Sequence, residues 1–194
     1  MLILKRSNRL KKKYFVFLKS ILNKYVKKVY LKLNSIYIKT LSKHIYPLFL
    51  FFKKHTGSQF KSLVDIVCYD FPGKNYRFSI VYNLLSLDLN YRLKISIKIA
   101  EKSPMVSTLV PLFSGAGWLE REIWDLFGIF FIDNLDLRRI LTDYGFIGYP
   151  LRKDFPLTGF VEVIYDDTEK QVVYKPLDLS QDFRNYRFKN AWNI

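Results

Sequence analysis

Three stretches in the middle of the chain, residues 63–69, 77–85 and 92–100, are predicted to form β-strands. The second and third alternate in the character of their side chains, the pattern of a β-strand. In the third stretch, leucine and isoleucine occupy one face, whereas arginine, lysine and serine occupy the other. This arrangement is typical of an antiparallel sheet with one buried face and one face in water.

Helical periodicity is clearest from about Ala116 onward. Leu119, Ile123 and Leu126 recur at i, i+4 and i+7, which predicts a helix with one apolar face. Gly128 is predicted to end this helix, because glycine enters the left-handed conformation without a Cβ penalty. The apolar residues 129–132 that follow are too few to cross a membrane and suit burial.

Two further helices and two hairpins are predicted on either side of this region. Residues 41–54 form one helix, and a second is amphipathic because Leu18, Ile21, Leu22 and Tyr25 recur at helical spacing. The hairpins join alternating stretches, 29–33 with 36–39 near the N-terminus, and 161–165 with 171–175 near the C-terminus. The aromatic residues after Leu177 predict a tail that packs on a neighbouring polypeptide.

These elements predict an α+β fold, a mostly antiparallel sheet covered on one side by helices. At 194 residues the chain is long enough for one substantial core. We expect three parts: a basic helical arm over residues 1–28, the α+β domain over residues 29–158, and a hairpin with an extended tail over residues 159–194.

Positive charge is concentrated in the first third of the chain. The net charge is +15, and residues 1–64 contain 16 Lys or Arg and no acid. A polyanionic partner, either a membrane surface or an acidic subunit, is therefore expected for this third. Residues 1–28 also fit a mitochondrial transit peptide, but the bias toward Lys, Ile, Asn, Phe and Tyr indicates an AT-rich organelle genome, which needs no import sequence.

The sequence contains few residues suited to metal binding or nucleophilic catalysis. The single cysteine, Cys68, cannot supply the roughly four ligands of an iron–sulfur or zinc site. His44 and His55 lie in the basic region, far in sequence from the acidic motifs, and are expected to be solvated or at helix ends. No Ser/His/Asp or Cys/His set can be assembled from these positions.

The charged residues between positions 120 and 154 are the main candidates for function. Their carboxylates invite a general acid–base interpretation, but nearby bases would lower the carboxylate pKa values by pairing. We therefore predict an ion-pair network that holds the fold or a subunit contact, with Arg121 pairing with Asp125 one helical turn away. Residues 136–141 are expected to form a helical turn that presents two arginines. The candidate residues are Glu120, Arg121, Glu122, Asp125, Arg138, Arg139, Asp143, Arg152, Lys153 and Asp154.

Three segments of this region resemble a known family. EREIWDLFGIFF (residues 120–131), DLRRILTDYGF (136–146) and PLRKDFPLTGFVEVIYDDTEKQVVY (150–174) are similar to the 30-kDa-type subunit of respiratory complex I. The similarity runs from about Phe60 to Phe183. At three positions this chain departs from the usual family residue: Asn134 and Tyr149 replace histidines, and Lys175 replaces an acid.

The resemblance implies a non-catalytic subunit of the peripheral arm of NADH:ubiquinone oxidoreductase. It implies packing against the large subunit that helps to form the quinone site, on the matrix side of the mitochondrial inner membrane. It also implies no cofactor in this chain, with FMN and iron–sulfur clusters in partner subunits.

Two other classes of protein compete with this interpretation. An RNA-binding protein would use the N-terminal charges and aromatics for phosphate neutralisation and stacking, but the charge excess ends at residue 64 and no RNA-binding motif follows. A peripheral membrane protein would be anchored by residues 2–28. We expect no nucleic-acid partner.

Overall fold

The structure, a computed structural model, describes residues 2–32, 35–181 and 183–184, with side chains from residue 12 onward. Its contacts divide the chain into two units, Met1–Phe155 and Pro156–Ile194. The predicted part boundaries at residues 28 and 158 remain predictions. No helix in the described part of the chain is both long and apolar enough to cross a bilayer.

The first unit contains three α-helices and seven strands among its described residues. Five of the strands form one sheet in the order β1-β2-β5-β4-β3, and β6 pairs with β7 separately. A short 3₁₀ helix, Ser42–His44, precedes α2. The elements are α1 Leu2–Ile21, β1 Val26–Lys32, β2 Ser35–Thr40, α2 Ile45–Lys54, β3 Ser62–Asp70, β4 Phe78–Ser86, β5 Tyr91–Ile99, β6 Met105–Ser107, α3 Ala116–Phe127 and β7 Phe130–Ile132.

The sheet confirms the predicted mostly antiparallel arrangement. β1–β2, β3–β4 and β4–β5 are antiparallel, whereas β2 joins β5 in parallel with Ile38 opposite Ile95. Buried and partly exposed residues alternate along β4 and β5, so one face of the sheet carries the core. Tyr82 of β4 packs edge-on against Phe49 of α2 at 5.1 Å between ring centroids.

The amphipathic N-terminal helix predicted from the sequence is present as α1, but it ends at Ile21, and the predicted helical residues Leu22 and Tyr25 lie in the turn before β1. Its Tyr14 and Leu18, with Leu22 beyond its end, are buried in the core that the sheet, α2 and α3 share. The Tyr14 hydroxyl donates a hydrogen bond of 2.7 Å to Ser58, a buried residue after α2. The C-terminal half of α1 is therefore part of the packed unit.

The helical turn predicted for residues 136–141 is wrong. The segment is irregular, because the backbone N–H groups of Ile140 and Leu141 donate to the Asp125 carboxylate. The apolar residues 129–132 also differ from the expectation of uniform burial. They alternate, with Ile129 and Phe131 buried and Phe130 and Ile132 exposed, since residues 130–132 form β7.

The second unit contains the predicted C-terminal hairpin. β8 Val161–Asp166 pairs antiparallel with β9 Gln171–Pro176, with Ile164 opposite Val173. Most of the predicted aromatic tail, including Tyr186, Phe188 and Trp192, lies outside the described residues.

Candidate functional site

The carboxylate of Asp125 organises the loop that follows β7. Its Oδ2 accepts hydrogen bonds from the backbone N–H groups of Ile140, Leu141 and Thr142 at 3.2, 2.7 and 2.9 Å. Its Oδ1 accepts from the Thr142 hydroxyl at 2.6 Å and from the Arg139 guanidinium at 3.0 Å. Burial opposes the charge, but these donors together outweigh it and lower the pKa of Asp125 to about 2.

Arg121 does not pair with Asp125, so the predicted i, i+4 pair is wrong. The Arg121 guanidinium instead binds the carboxylate and, at 2.7 Å, the backbone carbonyl of Asp136, and it stacks over the Trp118 ring at 5.0 Å. Asp125 is fully buried, whereas Trp118, over which Arg121 stacks, is exposed. Arg121 and Asp125 therefore lie on different faces of α3. Arg138 is exposed and also reaches Asp136, at 3.2 Å.

Glu120 is a second fully buried carboxylate on α3. Its Oε1 accepts from the Leu109 backbone N–H at 2.7 Å, and its Oε2 accepts from the Thr108 hydroxyl at 2.6 Å and the Asn134 amide at 2.9 Å. Among the described residues it has no salt-bridge partner. Burial therefore raises the pKa of Glu120 despite these three donors.

Arg77 is at the centre of a third cluster, which links the sheet to the end of the first unit. Its guanidinium binds Asp70 at 2.8 and 2.9 Å, Glu101 at 2.6 Å and Asp154 at 2.7 Å. The Lys153 backbone N–H also donates to Asp70, at 2.8 Å. The Arg77 guanidinium lowers the pKa values of Asp70 and Asp154, so both are ionised at neutral pH.

Sequence reasoning identified Asp154 in this cluster but missed Asp70 and Arg77. Both lie where two paired strands meet, since Asp70 is opposite Phe78 in the β3–β4 register. Opposite charges at the adjoining ends of two predicted antiparallel strands could have indicated the pair.

The Tyr149 ring lies against two guanidinium groups. Its ring is 4.5 Å from the Arg152 guanidinium carbon and 5.2 Å from that of Arg139. Trp124 of α3 packs against it at 6.1 Å. Arg152 also donates to the Phe127 carbonyl at 2.7 Å, so it binds the C-terminal end of α3. This arrangement connects the loop to the helix by cation–π contacts and a hydrogen bond.

The remaining candidates lie closer to the surface. Asp143 is exposed and accepts a hydrogen bond from the Tyr144 backbone N–H at 2.8 Å. Glu122 is half-buried, and the Lys153 side chain is exposed. The structure thus unites Asp125 with Arg139, and Asp154 with Arg77, in two separate clusters.

The buried carboxylates of Asp125 and Asp70 each accept several hydrogen bonds. Burial raises the pKa of the Cys68 thiol to about 12, so this thiol is protonated at neutral pH. Within the described residues no three His, Cys, Asp or Glu side chains are grouped for a metal ion. The hydrogen bonds to the Asp125 carboxylate hold the backbone of residues 140–142 in place.

The loop over residues 135–151, which we call the apolar loop, exposes large hydrophobic side chains. Leu135 is 103% exposed, Tyr144 96% and Ile147 88%, and Leu141 and Leu151 are also exposed. Phe130 and Ile132 of β7 are exposed as well. An apolar surface on a loop whose backbone is fixed by a buried carboxylate is typical of a protein-interaction surface.

The fold and this site define an α+β domain that presents a braced apolar loop. Residues 38–161 match the family described as respiratory-chain NADH dehydrogenase, 30 kDa subunit. The chain belongs to this family, the 30 kDa subunit of respiratory complex I. The resemblance noted in the sequence is thereby confirmed.

Relatives from two eukaryotic groups are similar over most of the chain. NADH-ubiquinone oxidoreductase subunit 9 of Reclinomonas americana is 45% identical over 185 residues, which cover 95% of this chain and 90% of the relative. NADH dehydrogenase [ubiquinone] iron-sulfur protein 3 of Oryza sativa subsp. japonica is 50% identical over 153 residues, 79% of this chain and 80% of the relative. Despite that relative's name, the single Cys68 of this chain does not fit an iron–sulfur cluster.

Solved structures share the fold. The trypsin-resistant fragment (1-134) of Nqo5 matches with a TM-score of 0.55 and 26% identity over 63% of this chain and 96% of the fragment. A chain of the membrane-bound sulfane sulfur reductase, an archaeal respiratory membrane complex, matches with a TM-score of 0.63 and 23% identity over 75% of this chain and 86% of that chain. The second similarity shows the fold alone.

Proposed function

We propose that this chain is a non-catalytic structural subunit of the peripheral arm of a proton-pumping NADH:ubiquinone oxidoreductase. Its role is to support electron transfer from NADH to ubiquinone without carrying a redox centre. The observation that carries the proposal is the apolar loop, which exposes Leu135 and Ile147 while the buried Asp125 carboxylate fixes its backbone. A rigid apolar surface lowers the entropic cost of association.

The proposed partner of the apolar loop is the large subunit that helps to form the quinone site. The relatives' names, NADH-ubiquinone oxidoreductase subunit 9 and NADH dehydrogenase [ubiquinone] iron-sulfur protein 3, support membership of a ubiquinone-reducing assembly. FMN and iron–sulfur clusters are assigned to other subunits. The ten charged residues predicted from the sequence hold the fold or the subunit contact in this proposal.

The proposed location is the matrix side of the mitochondrial inner membrane, as a peripheral subunit. The bias toward Lys, Ile, Asn, Phe and Tyr supports an organelle genome, and residues 1–64 with 16 bases and no acid suit an anionic surface in that compartment.

Substitution in the apolar loop tests the proposal. We expect Leu135→Glu to reduce the amount of assembled complex several-fold, because it places a charge in an apolar contact. NADH:ubiquinone activity per assembled complex should stay nearly unchanged. Native gel electrophoresis with an in-gel activity assay measures both quantities.

The matched control is Leu87→Glu, at an exposed leucine in the turn between β4 and β5. It should assemble like the wild type. Arg139→Ala should also reduce assembly, since the guanidinium binds both Asp125 and the Gly148 carbonyl. Normal assembly of Leu135→Glu with collapsed turnover would refute the non-catalytic role.

A further inference from the structure

An apolar groove lies between α2 and the end of α1 with the turn that follows it. It encloses about 240 Å³ and is lined by Ile21, Leu22, Tyr25, Pro47, Leu48 and Phe51. We call these six residues the α1–α2 groove. Leu22 and Leu48 form its buried floor, whereas Ile21 and Tyr25 are about half exposed, at 49% and 47%. The groove is far in sequence from the apolar loop and contains none of its residues.

Both walls of the groove have helical spacing. On α2, Pro47, Leu48 and Phe51 stand at i, i+1 and i+4. On the other wall the same spacing relates Ile21, Leu22 and Tyr25, since the Val26 N–H still bonds to the Leu22 carbonyl one turn after α1 ends. Two rows of apolar side chains at helical spacing suit the packing of a third helix through its apolar face.

One lysine and one histidine lie just before the α2 wall of the groove, and another such pair lies at its end. Lys43 and His44 lie one turn before Pro47, and Lys54 and His55 lie one turn after Phe51 on α2 and its C-cap. His44 packs edge-on against Tyr25 at 5.4 Å between ring centroids, and His55 packs against Phe51 at 4.8 Å. Both lysines are exposed, so their charges are available to a partner.

No acid is near the groove in sequence, because residues 1–64 contain none. An occupant with negative charge near both ends would therefore complement Lys43 and Lys54. Lys43 and Lys54 are separated by eleven residues, or about 16 Å along a helix axis. A lipid carries its headgroup charge at one end of its acyl chains. A helix, in contrast, can place acids at both ends of an apolar stripe.

We propose that the α1–α2 groove is the docking site for an acidic amphipathic helix of another polypeptide. The helix places one or two large apolar side chains between Tyr25 and Phe51 and has Asp or Glu near each of Lys43 and Lys54. The inference does not depend on the proposed partner of the apolar loop, since the two surfaces share no residue.

Zero-length carbodiimide cross-linking of the native complex tests the proposal. This reagent joins a lysine amine to a carboxylate only when the two are in contact. We expect Lys43 and Lys54 to be linked to Asp or Glu in one segment of another polypeptide, with the two linked acids about three helical turns apart. Peptide mass spectrometry identifies the links. The Lys61–Asp88 ion pair, at 2.8 Å, is the internal positive control.

A binding measurement separates docking in the groove from general charge attraction. The full chain is titrated against a synthetic peptide of the cross-linked segment by fluorescence anisotropy. Tyr25→Glu should weaken binding at least tenfold, because it adds negative charge to the apolar wall. The matched variant Leu87→Glu adds the same charge at an exposed turn and should bind as the wild type does.

Three results would overturn the proposal. One is the Lys61–Asp88 link without any link from Lys43 or Lys54 to another polypeptide. Another is equal peptide binding by Tyr25→Glu and the wild type. The third is co-flotation of the full chain with cardiolipin–phosphatidylcholine vesicles that Tyr25→Glu abolishes, which would assign the groove to anionic lipid.

Discussion

At the scale of single residues, α3 carries two buried carboxylates with opposite electrostatic behaviour. Asp125 receives a guanidinium and several backbone donors, and its pKa falls to about 2. Glu120 receives three neutral donors, and burial raises its pKa. The difference is the presence of Arg139 and of a row of amides at Asp125. Asp125 is therefore an anion at neutral pH, and the backbone of the apolar loop is hydrogen-bonded to it.

Removing the Asp125 charge should destabilise the folded chain at neutral pH and much less at strongly acidic pH. An aspartate has an unfolded pKa of about 3.9. Because the folded pKa is lower, about 2, the stabilisation is complete above the unfolded value and is lost as pH falls toward the folded one. We expect Asp125→Asn to lower the free energy of unfolding by about 3 kcal/mol at neutral pH. Urea denaturation of the full chain at a series of pH values measures this loss.

The control for this prediction is Asp88→Asn, at the exposed ion pair with Lys61. It should cost less than about 1 kcal/mol at any pH. A gap between wild type and Asp125→Asn that stayed constant from neutral pH to below pH 3 would contradict the assigned ionisation.

The sequence predicted ion pairs for both acids, but Asp125 pairs with a different arginine, and Glu120 has only neutral hydrogen-bond donors among the described residues. Arg121 and Asp125 have the i, i+4 spacing of a helical pair, yet the buried Asp125 carboxylate binds Arg139 instead. The partner is 14 residues away, across a loop whose path only tertiary packing defines. Local spacing cannot rank a neighbour on the same helix against a buried donor from elsewhere.

At the scale of elements, the C-terminal end of α3 is the junction between helix and loop. Gly128 has a φ of +72°, as its predicted helix-ending role requires. A Cβ at this position would lie 2.6 Å from the Tyr149 ring and 2.7 Å from the Arg152 guanidinium. Glycine is thus needed here both for its backbone conformation and for the close approach of the loop.

Alanine substitution should separate these two requirements. Gly145 also has a positive φ, +73°, but a Cβ there would meet no atom within 4 Å. Gly145→Ala should therefore lower the free energy of unfolding by about 1 kcal/mol, the cost of holding a residue with a Cβ at positive φ. Gly128→Ala should cost clearly more, because it adds overlap with the Tyr149 ring. Thermal unfolding and urea titration of the two variants measure the difference.

A double-mutant cycle identifies the origin of the extra cost. In a Tyr149→Ala background, Gly128→Ala should cost less than it does in the wild type, since the overlapping ring is absent and only the Arg152 guanidinium remains close. If the cost were the same in both backgrounds, the contact with the Tyr149 ring would not be its source.

The regular elements were predictable because their periodicity is local. The stretches predicted as strands, residues 63–69, 77–85 and 92–100, form β3, β4 and β5. The parallel pairing of β2 with β5 could not be predicted in this way, because residues far apart in sequence determine it. The Arg77–Asp70 pair was missed for a related reason: it becomes evident only once the two strands are in register.

At the scale of the whole chain, charge and exposed apolar surface are separated in sequence. Residues 1–64 contain 16 bases and no acid, whereas the apolar loop over residues 135–151 contains the most exposed hydrophobic side chains of the first unit. The first surface suits an anionic partner, and the second suits an apolar one. A chain with both kinds of surface is suited to contacts with more than one polypeptide at once.

The exposed apolar loop predicts how the chain behaves without partners. A contiguous apolar patch in water favours self-association, because burying it against a second copy releases hydration water. We expect the isolated full chain to form larger species as its concentration rises. The double variant Leu135→Glu, Ile147→Glu should remain monomeric under the same conditions, and sedimentation velocity distinguishes the two outcomes.

A matched pair of substitutions shows whether added charge alone explains such a change. Leu87→Glu with Val64→Glu adds the same two charges at exposed hydrophobic positions outside the apolar loop. Since it leaves the loop intact, this variant should associate as the wild type does. If both double variants stayed monomeric to the same extent, net charge would control association. Self-association suppressed only by the loop substitutions would assign the contact surface to residues 135–151, the surface proposed for the large subunit.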